Sequence, residues 1–167
     1  SNIQTGLQYA GPGSSVADPI FITKSIYHEA LNETDTPEKP RRHLHVLYID
    51  LRKAFDKAPH HFINAAMRSL GVPEYMLDFF NVMDTNSHLR FKTSKTNLTP
   101  GIKPSCGTLQ GDPASGTRFN SIMFLLMFRL RAAKVGWLTA TGDLIYGHCY
   151  ADDTVLFAES HADLQHL

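Results

Sequence analysis

Few cysteines, no net charge and no long apolar run set the first limits on this chain of 167 residues. Cys106 and Cys149 are too few for a disulfide scaffold and lack metal-ligand spacing, which points to a reduced, intracellular protein, nuclear or cytoplasmic. The richest apolar stretch, residues 122–128, falls far short of the roughly 20 residues that cross a bilayer, so no membrane partner is expected. The first residues are polar and unlike a secretion signal. Sixteen basic residues balance sixteen acidic ones, so the strongly basic surface of most stand-alone nucleic-acid binders is missing. Local patches, or sequence outside this chain, would have to supply it. Internal repeats and low-complexity tracts are absent too. The remaining composition is ordinary for a globular chain, 43% hydrophobic and 19% charged, and allows one sizeable core.

The most informative residues are acidic. Near the C-terminal end, Tyr150-Ala151-Asp152-Asp153 stands between two apolar, strand-like runs. Adjacent aspartates in a tight turn repel, and a divalent cation is the usual compensation. Far upstream, Asp50 closes a second apolar run, Leu44 to Ile49. One aspartate on a strand and a carboxylate-bearing hairpin are the donor set of a two-metal phosphoryl-transfer site, with two Mg²⁺ about 3.5–4 Å apart and Mn²⁺ as a substitute. For the tetrapeptide alone a polar turn is the plain alternative, since aspartate is a common turn residue. Between these sites lies Gly107-Thr108-Leu109-Gln110-Gly111-Asp112-Pro113-Ala114-Ser115. Glycines admit close approach of a planar group, and Gln110 offers both a donor and an acceptor. Such a loop either lies under a bound nucleotide or is a tight turn into a helix. Asp56 reads as the cap of the next helix, with a ribose-sensing role as the alternative.

Local signals order the elements. Ser15-Val16-Ala17-Asp18 has the form of a capping box, predicting a helix over 17–31. Residues 34–42, rich in proline and charge, predict a loop, and 43–51 a strand. Pro59 opens a helix ending at Gly71, and Pro73 opens another to about Met83. Residues 89–94 alternate like a strand, 114–134 read as a long helix, 136–142 as a turn and 145–158 as a hairpin. Together these predict an α+β fold, an antiparallel sheet with helices on one face.

The three constellations in this order resemble the palm of a reverse transcriptase. Asp50-Leu51-Arg52-Lys53-Ala54-Phe55-Asp56 is similar to that family's first metal-binding motif. Gln110-Gly111-Asp112-Pro113-Ala114-Ser115 with Phe119-Asn120 is similar to its glutamine-glycine motif, and Tyr150-Ala151-Asp152-Asp153 to its signature. The wording is nearest to LINE-type retrotransposons, those without long terminal repeats. The resemblance implies a ferredoxin-like palm with part of the fingers and no thumb: about 1–42 in the fingers, and about 43–167 in the palm with an interleaved fingers segment near 72–104. It implies an RNA-directed DNA polymerase that uses an RNA template, a DNA primer and dNTPs, as a piece of a longer polyprotein.

By the same resemblance Asp50, Asp152 and Asp153 are the catalytic carboxylates and metal ligands, and the Leu51 carbonyl is an extra ligand. Phe55 is the steric gate against a ribose 2′-hydroxyl, Gln110 and Gly111 meet the incoming nucleotide, and Tyr150 packs near the primer end. The chain departs from the family pattern in two places. Gln8 to Ser15 carries no basic residue where the family meets the triphosphate, and Gly116 replaces the second proline of the "PLSP" loop. Two other readings stay open: a decayed or partial element without stand-alone activity, and an RNA-dependent RNA polymerase, faintly suggested by Asp56. Arg41, Arg42, Lys92 and Lys95 are candidate phosphate contacts, with solvated surface as the plainer reading.

Overall fold

The structure is a computed structural model that describes residues 9–10, 13, 15–37, 40–95, 97–108 and 111–167. Along the chain run α1 (Ala17–Asn32), β1 (His45–Ile49), α2 (Ala54–Lys57), α3 (His60–Ser69), α4 (Glu74–Asn86), α5 (Ser115–Ala132), β2 (Trp137–Leu138), β3 (Leu144–Ile145), β4 (Gly147–Tyr150), β5 (Asp153–Ala158) and α6 (His161–His166). They form two compact units. One takes the described residues of Ser1–Arg52 together with Met123–Leu167, and the other takes those of Lys53–Ile122.

The first unit is built on an antiparallel sheet of order β1-β5-β4. The central strand, β5, has neighbours on both edges, and Thr154, Leu156, Phe157 and Ala158 are all buried. Helix α1 covers one face with Ile22, Ile26 and Ala30, spaced four apart so that they share one side of the helix. These side chains meet Phe157, Val46, Val155 and the fully buried Trp137. At Gly147 β4 approaches β5 closely, since a Cβ there would collide with the Val155 carbonyl oxygen.

Local expectations hold in part. At the start of α1, Asp18 accepts the Ser15 N–H at 2.9 Å. The N-cap residue is Val16, with no side-chain cap bond, so the serine half of the expected box does not form. The turn expected over 136–142 is the tip of a small hairpin, β2 paired with β3. Helix α6 was not expected, although Ser160 caps it: its hydroxyl accepts the Asp163 N–H at 3.0 Å and donates to the Asp163 carboxylate at 2.7 Å. Trp137 is part of the core, with Arg42 stacked 4.2 Å over its ring. Arg42 also donates to Glu159 and to the Leu138 carbonyl, both at 2.6 Å, and pairs with Glu33. Its guanidinium is therefore committed to holding the unit together.

The second unit is helical. Pro59 and Pro73 stand immediately before α3 and α4, where the missing N–H costs nothing. The two helices pack on each other and bury Ile63, Ala66 and Met67 from α3 and Leu77 and Phe80 from α4. Residues 89–94 do not form the expected strand. They make isolated bridges, Leu89↔Ile102 and Lys92↔Leu98. Leu89, Phe91, Leu98 and Ile102 are all exposed, so the alternation has no core to bury against and only backbone pairing remains. Asp56 does not cap the next helix; it lies inside the short α2, and Pro59 takes the N-cap position of α3. Asp112 does open α5, accepting the Ala114 N–H at 3.0 Å.

Candidate active site

Main-chain register brings the carboxylates together. Strand β1 pairs with β5 up to Ile49↔Thr154, so Asp50, the next residue, stands at the position opposite Asp153. Asp153 pairs in turn with Tyr150 of β4. Ala151 and Asp152 are the two residues of the intervening turn. Asp50, Asp152 and Asp153 thus lie at one end of one sheet, with Asp50 and Asp153 exposed and Asp152 half-buried. Ala151 adopts φ 53°, the left-handed region that two-residue hairpins require at their first position. For a residue with a Cβ this costs about 1–2 kcal/mol, and such strain persists only where the surroundings impose it.

Leu51 follows Asp50 outside the strand, and Tyr150 ends β4; both are a little over one-third exposed. The donor set is all oxygen, which suits a hard divalent ion. The residues therefore fit Mg²⁺ in the kind of donor they offer. Among the described residues, no three His, Cys, Asp or Glu side chains are gathered tightly enough to hold a metal. The backbone supplies proximity without a converged cage.

The strand that leads into the hairpin is buried over 147–149. Cys149 is fully buried, and burial pushes its thiol up to about 12, which keeps it protonated and makes it packing rather than a nucleophile. His148 is also buried. Its Nε2 lies 2.8 Å from the Thr23 hydroxyl, and desolvation lowers its pKa to about 4, so the ring is neutral. Nothing in the sequence spacing signals this pairing across 125 positions. A groove of about 700 Å³, lined among others by Tyr27, Leu31, Arg41 and Leu44, lies in the same unit and includes none of the site residues.

Phe55 and Gly111 belong to the second unit. Phe55 is half-buried in α2, and its ring stacks on Phe119 of α5, with centroids 4.4 Å apart and planes at 29°. Gly111 takes φ 92°. Gln110 lies outside the described residues, as do Gln8, Gly11, Pro12 and Ser14 of the stretch from Gln8 to Ser15. The polar contacts that organise this unit, Arg118 with Asp84 and His60 with Gly107, were not anticipated, because they join distant residues that form no motif.

The sheet, its carboxylate-bearing hairpin and the helices around them are the architecture of a polymerase palm, and the comparisons agree. Residues 6–167 match the family model "Reverse transcriptase (RNA-dependent DNA polymerase)", and the chain belongs to that family. It is 34% identical over 150 residues to the retrovirus-related Pol polyprotein of the type-1 retrotransposable element R2 of Nasonia vitripennis, covering 90% of this chain and 14% of that protein. It is 32% identical over 133 residues to the type-2 element R2DM polyprotein of Drosophila melanogaster, covering 74% of this chain and 11% of the relative. These relatives support a LINE-type, non-LTR origin. Among solved structures, apo telomerase of Candida tropicalis truncated from its C-terminal domain shares the fold, with a TM-score of 0.62 at 13% identity, over 91% of this chain and 30% of that one. The chain spans a small part of each polyprotein. No helix among the described residues is long and apolar enough to cross a membrane.

Proposed function

We propose that this chain is the core of an RNA-directed DNA polymerase that extends a DNA primer along an RNA template with dNTPs. The observation that supports this most is the register at the sheet end, which sets Asp50 opposite Asp153, the residue that follows Asp152. In the reaction the primer 3′-hydroxyl attacks the α-phosphorus of the dNTP and pyrophosphate leaves, and positioning and charge stabilisation dominate the catalysis. Asp50, Asp152 and Asp153, with the Leu51 carbonyl, are the groups that would hold two Mg²⁺. When bound, these ions supply Lewis-acid activation of the hydroxyl and charge stabilisation on the leaving oxygen. The exposed Asp50 and Asp153 face solvent, where a triphosphate can reach them.

Phe55 excludes a sugar bearing a 2′-hydroxyl, because its ring occupies the space that group needs. Gln110 and Gly111 meet the incoming nucleotide, and Tyr150 packs beside the primer end. We assign about 1–42 to the fingers and about 43–167 to the palm, with an interleaved fingers segment near 72–104.

The deciding experiment is primer extension on an RNA template with Mg²⁺, offering dNTPs and rNTPs separately. Asp50→Ala and Asp152→Ala each reduce incorporation by on the order of 10²–10³-fold or more while leaving the fold intact by circular dichroism. Turnover retained in either variant overturns the assignment. Phe55→Ala raises rNTP use, and an unchanged sugar preference removes the gate.

A further inference from the structure

Helix α2 has four residues, too few to hold itself by helical bonds alone. The carbonyls around it are met by a turn from elsewhere in the same unit. The Thr108 N–H donates to the Phe55 carbonyl at 2.9 Å, and the Gly107 N–H donates to the Ala58 carbonyl at 2.8 Å. The Cys106 thiol reaches the Asp56 carbonyl at 3.4 Å. The approach is backbone to backbone: Gly107 takes φ 86°, and a Cβ there would stand 2.5 Å from the Asp56 carbonyl oxygen. No larger residue fits, and the orientation of α2 follows that of the turn.

The turn is held in its own right. His60, the first residue of α3, places Nε2 2.8 Å from the Gly107 carbonyl oxygen. A carbonyl can only accept, so Nε2 is the donor. The other ring nitrogen, Nδ1, lies 3.7 Å from Asp84 of α4. Both oxygens of Asp84 accept from Arg118 of α5, at 2.9 and 2.5 Å, and Arg118 is only 2% exposed. A bidentate pair buried to this degree is geometrically strict. It fixes the carboxylate that packs beside the His60 ring.

We infer that His60, through its bond to the Gly107 carbonyl, is a positioning residue for sugar selection. It holds the 107–108 turn, the turn holds α2, and α2 presents the Phe55 ring, with Phe119 as its backing. This rests on the reading of Phe55 as the gate. His60 touches no substrate in this scheme and acts only through the backbone of the turn.

The test combines amide hydrogen exchange with primer extension on the whole chain, comparing the parent with His60→Ala and His60→Gln. Glutamine places an amide donor near the position of Nε2 and serves as the conservative replacement. His60→Ala speeds exchange at Gly107 and Thr108 by about tenfold, the worth of one lost hydrogen bond, and leaves α3 and α4 unchanged. It also lowers the ratio of kcat/KM for dNTP over rNTP severalfold, and His60→Gln restores both readouts. Unchanged exchange at the turn overturns the inference. So does faster exchange throughout Lys53–Ile122 in both variants, which would mark a merely structural residue. A loosened turn with unchanged sugar preference removes the link to specificity. A parent chain that extends no primer overturns the gate and the specificity claim with it, while the exchange result still decides whether His60 holds the turn.

Discussion

At the end of the β1-β5-β4 sheet, three carboxylates are neighbours because two strands pair in a given register. Around Phe55, by contrast, the backbone of α2 is met by Gly107 and Thr108, some fifty positions on, and that turn is met by His60, while Asp84 and Arg118 pair between two other helices. Register is a property of the backbone: once the apolar faces of β1 and β5 are buried, a slip of one residue would turn every side chain to the wrong face. Among its described residues the helical unit has isolated bridges rather than such a ladder. Its short α2 relies on a few polar contacts, each of which can be removed by one substitution. The sheet end is therefore expected to keep its geometry through side-chain changes that disturb the helical unit.

The largest stability effect tests that difference directly. Arg118→Ala strands Asp84 in a mostly buried setting and costs about 3–5 kcal/mol, measured by urea unfolding. Arg118→Met combined with Asp84→Leu recovers most of this loss, because no charge is left unpaired. If the single variant is as stable as the parent, the second unit does not depend on that ion pair and the contrast collapses.

A smaller effect belongs to the sheet unit. His148 is neutral in the fold, with its pKa lowered to about 4 against 6.5 for a free histidine. The stabilising effect of keeping it neutral is present above pH 6.5. It is lost as pH falls from 6.5 towards 4, where the unfolded chain takes up a proton that the folded chain does not. Across that window the loss reaches up to about 3 kcal/mol. Unfolding curves at pH 7 and pH 4.5 measure it, and His148→Gln flattens this part of the dependence. An equally steep dependence in the variant would place the acid sensitivity elsewhere. The smallest effect is local: Ser160→Ala removes the cap of α6 and costs about 1 kcal/mol, read as a small drop in Tm with the register of β5 unchanged.

Much of this was readable in the chain. The prolines before α3 and α4, Asp112 before α5 and the apolar runs flanking Asp50 and Asp152 are local signals, and the elements followed them. The strand expected over 89–94 failed for an equally physical reason: alternation marks a strand only when one face has a core to meet, and Leu89 and Phe91 have none. Ser160-His161-Ala162-Asp163 carried the same capping signal as Ser15 to Asp18, yet α6 went unpredicted because no long apolar run follows it. The short α2 was missed because four residues leave no period to detect.

The sequence by itself determined the family, the α+β class and the three acidic positions, since each is written in contiguous motifs whose chemistry depends on neighbours along the chain. Tertiary structure alone decided that Asp50 faces Asp153, that His148 sits neutral beneath the hairpin, and that His60 and Arg118 reach the turn and carboxylate that steady Phe55. Those relations join residues separated by tens to more than a hundred positions, and only the closing of strands and the burial of charge select them.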